Sequence, residues 1–132
     1  MTAKRETGEP RDLDPLMEKL RDYMLEKSGS VEEFPFGPQV MVFRVVSKMF
    51  GLMAWEENPV VISLKCDPER SQKLREEHAG INGAYHLNKK HWHGLEMGGS
   101  VDFDLAKELM DHSYDLVVAA LTAKEQEHVR RL

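Results

Sequence analysis

The sequence lacks the paired cysteines and long apolar runs that define several protein classes. Its single cysteine, Cys66, cannot form a disulfide within the chain. The apolar run at 116–121 is far shorter than the roughly 20 residues that a transmembrane helix needs. Residues 1–11 contain no apolar block typical of a secretion signal. These absences predict a cytoplasmic protein without a membrane segment.

Motifs of common enzyme classes are also missing. The sequence has no glycine-rich phosphate-binding loop, no dinucleotide-binding fingerprint, no Gly-x-Ser-x-Gly elbow and no His-Glu-x-x-His motif. Cys66 is a candidate nucleophile, but it ends an apolar predicted strand, where a small buried residue is the usual role. We therefore predict a protein that is not an enzyme and that needs no cofactor.

The residues that are present predict one small globular domain. The 132 residues are 41% hydrophobic and 31% charged, with a formal net charge of −5. This composition is typical of folded chains. Residues 1–11 are predicted to form an N-terminal tail, residues 12–123 the domain and residues 124–132 a C-terminal tail. We expect a monomer or a weak homodimer.

The hydrophobic pattern changes its period along the chain and predicts an α+β fold. A helix is followed by three strands, a second helix, two strands and a final helical segment, which could be divided at Ser113. The predicted helices cover 14–27, 67–78 and 105–122, and the predicted strands cover 40–43, 49–53, 60–64, 84–87 and 91–97. The short links favour a two-layer fold with a mainly antiparallel sheet of about five strands.

Basic residues are concentrated in the middle of the chain, although the whole chain is acidic. Residues 40–55 and 84–95 contain no Asp or Glu, and both stretches are predicted hairpins. In the second turn, two lysines could neutralise phosphates while Asn88 offers an amide to a base edge. Alternatively, these are ordinary solvated turn residues, with Tyr85 and Trp92 filling the core.

Three histidines near the second hairpin give a metal-binding hypothesis. His91 and His93 lie two residues apart on a predicted strand and would share a face. His86 joins that face only if the turn contains an even number of residues. No carboxylate or thiolate lies close in sequence to complete or orient the site. A structural role is therefore favoured, and we predict no metal site.

Five segments of the sequence together resemble the MmcQ/YjbR family of small bacterial proteins. In chain order they are 34–37 (FPFG), 42–50 (VFRVVSKMF), 63–68 (SLKCDP), 84–92 (AYHLNKKHW) and 111–117 (DHSYDLV). The resemblance extends from about residue 12 to residue 121. It implies a fold similar to that of the bacterial frataxin homologue, in which helices cover one face of an antiparallel sheet.

The resemblance also implies DNA binding through a double wing, and the wings would be the two hairpins without carboxylates. The residues expected to contact DNA are then Arg44, Lys48, Asn88, Lys89, Lys90 and His91. So few cations predict a low affinity with a strong salt dependence. Protonation of His91 in mildly acidic solution is expected to strengthen binding.

Two alternatives remain within the same fold. The acidic residues of the first helix, from Asp12 to Glu26, could bind metal, but the basic residues between them are typical of a solvated helix face. A pocket lined by the 34–37 connector, Trp55 and Trp92 could bind a small molecule or a peptide. These aromatic residues are equally typical of a core.

Overall fold

The computed structural model describes residues 15–84 and 87–132 and has the predicted α+β architecture. The helices of this part of the chain are α1 (Pro15–Leu25), α2 (Pro68–Glu77), α3 (Phe103–Ala119) and α4 (Ala123–Arg130). The strands are β1 (Ser30–Glu33), β2 (Val40–Val45), β3 (Lys48–Ala54), β4 (Val61–Lys65), β5 (Ile81–Gly83) and β6 (Trp92–Glu96). The predicted N-terminal tail and His86 lie outside the described residues.

The strands form one antiparallel sheet of six strands in the order β1-β2-β3-β4-β6-β5, and the helices pack on one face of it. Phe43, Ile62 and Leu95 are fully buried in this core together with Leu20 of α1 and Met110 of α3. Within the described ranges, no helix is both long and apolar enough to cross a bilayer.

The face of the sheet opposite the helices is called the open face here. It presents Leu52 of β3, Val61 and Ser63 of β4, and Gly94 of β6. These residues alternate with core residues along each strand, because successive side chains of a strand point to opposite faces.

Both edge strands differ from the prediction. β1 was not predicted because its sequence is largely polar, yet it pairs with β2 from Ser30 to Glu33. The strand predicted at 84–87 is found earlier in the chain as β5, because the side chain of Ile81 is buried in the core. The chain then turns, and the Trp92 amide donates to the Asn88 carbonyl at 2.8 Å. Among the described residues, the sheet therefore has one strand more than was predicted.

The C-terminal segment, predicted to be a tail from residue 124, forms most of α4. The Thr122 hydroxyl accepts a hydrogen bond from the Glu125 amide at 3.1 Å, and the Glu125 carboxylate accepts one from the Thr122 amide at 2.9 Å. This reciprocal capping box satisfies amides that would otherwise lack partners at the helix start. Val129 is buried, and its carbonyl accepts a hydrogen bond from Ser28. The segment is therefore part of the folded domain.

The first hairpin turns tightly through Val46 and Ser47, because Val45 pairs with Lys48. Two-residue hairpin turns favour positive φ angles. Val46 adopts a φ of 59°, in the left-handed region that β-branched residues seldom occupy. The register of β2 and β3 thus imposes a positive φ angle on Val46, although valine disfavours that conformation.

Candidate nucleic-acid interface

The two predicted wings lie at the same end of the sheet. β3 runs away from the first turn and the antiparallel β4 runs back towards it, so that β4 ends at Lys65 on the side of that turn. β6 begins at Trp92, whose Cα partner is Lys65, and the second turn, residues 88–91, directly precedes it. Only β4 lies between β3 and β6, and two strand spacings amount to about 10 Å. We call this region the hairpin end.

The hairpin end carries three solvent-exposed lysines. Lys48 belongs to the first hairpin, and Lys89 and Lys90 belong to the second turn. All three are exposed, and none forms an ion pair with another residue in the described part of the chain. His91 is exposed beside them. Three ammonium groups are thus available to an anionic ligand at one end of the sheet.

The charge of Arg44 is compensated within the protein. Its Nε donates to Oε1 of Glu33 at 2.6 Å, and its Nη1 donates to the Ser47 carbonyl at 3.3 Å. Glu33 belongs to β1, which pairs with β2 and so brings this acid beside Arg44. Sequence reasoning missed this contact because β1 was not predicted. Arg44 thus links the turn of the first hairpin to the edge strand β1.

Asn88 stabilises the second turn through hydrogen bonds of its side chain and its backbone carbonyl. Its Oδ1 accepts a hydrogen bond from the Lys90 amide at 2.9 Å, and its backbone carbonyl accepts from the amides of His91 and Trp92. An Asn side chain that bonds to the backbone two residues onward is a common way to close a turn. The side-chain amide was predicted to contact a base edge, and its oxygen is engaged within the turn instead.

Arg75 of α2 fixes the second turn from the helix side. Its Nη2 donates to the Lys89 carbonyl at 2.6 Å, and its Nε donates to Oγ of Ser71 at 3.2 Å. Sequence reasoning did not identify this residue. The available signal was the spacing of Ser71, Leu74 and Arg75, which places them on one face of α2. What that face would contact could not be known without the topology.

The structure separates the histidines that were predicted to share a face. β6 begins at Trp92, so His91 is an exposed turn residue, whereas His93 is fully buried on the helix side. Nδ1 of His93 lies 3.1 Å from Oγ of Ser71, and no described residue bonds to its Nε2. Across residues 15–84 and 87–132, no group of three or more His, Cys, Asp or Glu is placed to hold a metal ion.

Burial changes the acid-base properties of two groups near the hairpin end. Burial, and then the positive charge of Arg75, lower the pKa of His93 to about 4. Burial likewise raises the pKa of the Cys66 thiol to about 11. At neutral pH, His93 is therefore uncharged and Cys66 is a protonated thiol. A buried, protonated thiol is a poor nucleophile, because the thiolate is the reactive form.

Ser113 separates β3 from β4 at the hairpin end. It lies in the middle of α3 and does not begin a helix. Its Oγ donates to the Phe50 carbonyl at 2.6 Å and accepts from the Lys65 amide at 2.9 Å. The β3–β4 ladder ends at the pair Gly51 and Leu64, so the hydroxyl bridges the next pair of residues. The two strands are thereby held apart where they approach the turns.

Comparison with known proteins identifies the family. The model of the YjbR family matches residues 25–116. This chain belongs to the YjbR family. The uncharacterised protein YbdF of Escherichia coli is 35% identical over 97 residues, which cover 74% of this chain and 80% of YbdF. The uncharacterised protein YjbR of Escherichia coli K12 is 28% identical over 108 residues, which cover 82% of this chain and 92% of YjbR.

Two solved structures share the fold of this YjbR-family chain. DR2400 of Deinococcus radiodurans, a DUF419 domain, is 39% identical with a TM-score of 0.79, and the match covers 85% of this chain and 86% of DR2400. A Pseudomonas syringae protein from a structural genomics consortium is 27% identical with a TM-score of 0.64, covering 75% and 96%. The predicted family and the α+β fold are thus confirmed. The names of these relatives describe no enzymatic activity.

Proposed function

We propose that this YjbR-family protein binds DNA through the hairpin end of its sheet and does not catalyse a reaction. The observation that supports this proposal is the placement of both turns at one end, where Lys48, Lys89 and Lys90 are exposed and lack acidic partners among the described residues. Ammonium groups on neighbouring turns suit contact with phosphates, which supply most of the sequence-independent affinity for DNA.

Lys65 extends the proposed interface from the turns onto the open face. Its Cα partner is Trp92, and both side chains lie on the open face because Leu64 and His93 point towards the helices. A lysine beside an indole combines attraction for phosphate with a surface on which a sugar or a base can pack. Lys65 was not among the predicted contact residues, because its position between the two wings depends on the order of the strands.

The structure changes the proposed roles of two predicted contact residues. Arg44 is paired with Glu33, and Asn88 closes its own turn, so we assign both a supporting role. Phosphate contact is then left to the exposed lysines and His91. The exposed carboxylate of Asp67, which lies two residues after the end of β4 and caps α2, reduces the positive potential at this end. The expected affinity is accordingly low and sensitive to salt.

A salt-dependent titration tests the proposal. The anisotropy of a fluorescently labelled DNA duplex is measured with increasing protein, from low to physiological salt. We expect saturable binding at low salt and a slope of log K against log[salt] of about −3, because each neutralised phosphate contributes about −0.9. The double variant Lys89→Glu/Lys90→Glu should bind at least about tenfold more weakly and should lower the magnitude of the slope by about 2.

A matched control variant distinguishes an effect of the hairpin end on DNA binding from an effect of net charge. Lys19→Glu/Lys107→Glu changes the net charge equally, but both ammonium groups lie beside the Phe103 ring at the start of α3. This control should bind like the wild type, once circular dichroism shows that every variant is folded. Absence of saturable binding by the wild type at low salt, or equal weakening by both double variants, would contradict the proposal.

A further inference from the structure

The open face of the sheet forms a cleft that the proposed DNA interface does not use. The cleft has a volume of about 850 Å³, within the range of small-molecule sites. Its floor consists largely of apolar residues of the central strands, including Leu52, Ala54 and Val61, and its walls include Phe36 and Leu87. No lysine lines it. A cleft of this size and composition can enclose much of an apolar small molecule.

Phe36 is held in the wall of the cleft rather than in the core. Its side chain is 64% exposed, the largest exposed fraction among the aromatic residues that the structure describes. The connector that contains it is fixed, because the buried Trp55 donates from Nε1 to the Pro38 carbonyl at 2.8 Å and the Gly37 amide donates to the Phe34 carbonyl. The protein thus orders an exposed aromatic ring beside an apolar floor, and a contiguous apolar surface of this kind marks binding sites.

The floor of the cleft contains small residues, and at Gly94 the structure has room for a larger side chain. A Cβ added at Gly94 would lie 3.6 Å from Cγ1 of Val61 and 3.9 Å from Cα of Ala84, which are ordinary contacts. Close packing therefore does not require glycine at this position. Its absence of a side chain keeps open the space above the middle of the sheet.

Two carboxylates lie at the end of the cleft farthest from the hairpin end. Glu96 pairs with Val61, Val61 pairs with Ala54, and Glu57 follows in the turn after β3. Both glutamates are exposed and line the cleft, and neither forms an ion pair with any described residue. The lining residues that the structure describes include no Lys, Arg or His that would balance them. The cleft thus combines an apolar floor with an acidic end.

We infer that this cleft binds a small amphipathic cation, with the apolar body on the floor beside Phe36 and the positive group between Glu57 and Glu96. The inference follows from charge complementarity and from the volume of the cleft. An anionic amphiphile would meet repulsion at the acidic end, and a purely apolar molecule would leave both carboxylates without a partner. The cleft adjoins the hairpin end, because Gly83 of its lining lies close to the Lys89 side chain, but its acidic end is at the opposite end of the strands. The inference does not depend on the proposed DNA binding.

The test compares three amphiphiles with a common alkyl chain: dodecyltrimethylammonium, dodecyl maltoside and laurate, each below its micelle-forming concentration. Isothermal titration calorimetry gives the affinity, and methyl NMR shifts of Leu52 and Val61 report the location. We expect the ammonium to bind at least about fivefold more tightly than the maltoside, and laurate to bind most weakly. Gly94→Leu should block the floor and abolish binding of all three.

Variants that remove negative charges test the role of the acidic end. Glu57→Gln/Glu96→Gln should remove the preference for the ammonium, whereas Glu76→Gln/Glu77→Gln, an equal change on the exposed surface of α2, should preserve it. Equal affinity for the three amphiphiles, NMR shifts outside the cleft, or an unchanged preference in the Glu57/Glu96 variant would each overturn the inference.

Discussion

Ser113 joins three elements through one hydroxyl group. The hydroxyl belongs to α3, donates to a carbonyl of β3 and accepts from an amide of β4, and the side chain is fully buried. Sequence reasoning considered this serine only as the start of a second helix. Its role as a bridge between strands depends on contacts between residues far apart in the chain, which the hydrophobic period does not encode.

Removal of this hydroxyl should destabilise the protein strongly. Ser113→Ala leaves the Phe50 carbonyl and the Lys65 amide without their partner in a buried position. Each orphaned group costs about 1–3 kcal/mol, so we expect urea unfolding to show a loss of about 2–4 kcal/mol. Ser63→Ala, the same change on the open face, should cost less than about 0.5 kcal/mol. Similar losses for both variants would show that the bridge contributes nothing.

His93 is a second residue whose role only the structure shows. It was considered as a metal ligand, yet its imidazole is fully buried and bonds to Ser71, which in turn accepts from Arg75. The charged form of the ring is unfavourable there, because burial and the nearby guanidinium both oppose protonation. The folded protein therefore takes up a proton at this site only as the pH falls to about 4.

Stability should therefore fall in mild acid. The pKa of His93 is about 4 in the folded state, against 6.5 for an unperturbed histidine, so between these values the unfolded chain binds a proton that the folded chain does not. The free energy of unfolding should decrease as the pH falls through this window, by up to about 3 kcal/mol in total. His93→Asn should flatten the profile measured by urea unfolding. The exposed His128→Asn should leave it unchanged, and equal profiles for all three proteins would refute the assignment.

Among the elements, the central strands could be predicted from sequence and the edges could not. β2, β3 and β4 are rich in strand-forming residues because the core covers one face of each. β1 is an edge strand with polar residues, and α4 is held by a capping box and one buried valine. The Thr-x-x-Glu pattern of that box was visible in the sequence, so the helix could have been found. The ion pair between Glu33 and Arg44 could not have been found from the sequence, because it depends on the order of the strands in the sheet.

The second turn should loosen when its link to α2 is removed. Arg75→Gln loses the hydrogen bond to the Lys89 carbonyl, a charge-assisted contact of about 1.5–3 kcal/mol. We expect faster hydrogen exchange at the amides of His91 and Trp92, which close the turn, with little change at Leu52 in β3. Arg70→Gln is the control, because its guanidinium makes no hydrogen bond with the described residues. Unchanged exchange in Arg75→Gln would show that the turn is stable by itself.

At the scale of the molecule that residues 15–84 and 87–132 describe, the two ends of the sheet carry exposed charges of opposite sign. Exposed lysines lie at the hairpin end, whereas Glu57 and Glu96 lie at the other end. In the sequence, the basic residues are concentrated in the middle of the chain, but chain order alone did not place both basic turns at one end of the sheet. Such an asymmetric field orients an approaching anion towards one end despite the negative net charge.

The backbone of Val46 determines the order in which the first hairpin can form. A valine at a φ of 59° is disfavoured by roughly 1–2 kcal/mol, so residues 45–48 have little tendency to bend while the strands are separate. Contacts between β2 and β3, including burial of Phe43, must come first and compensate for this local preference. We therefore expect the hairpin to form from the hydrophobic interior outward, with its solvent-facing tip closing last.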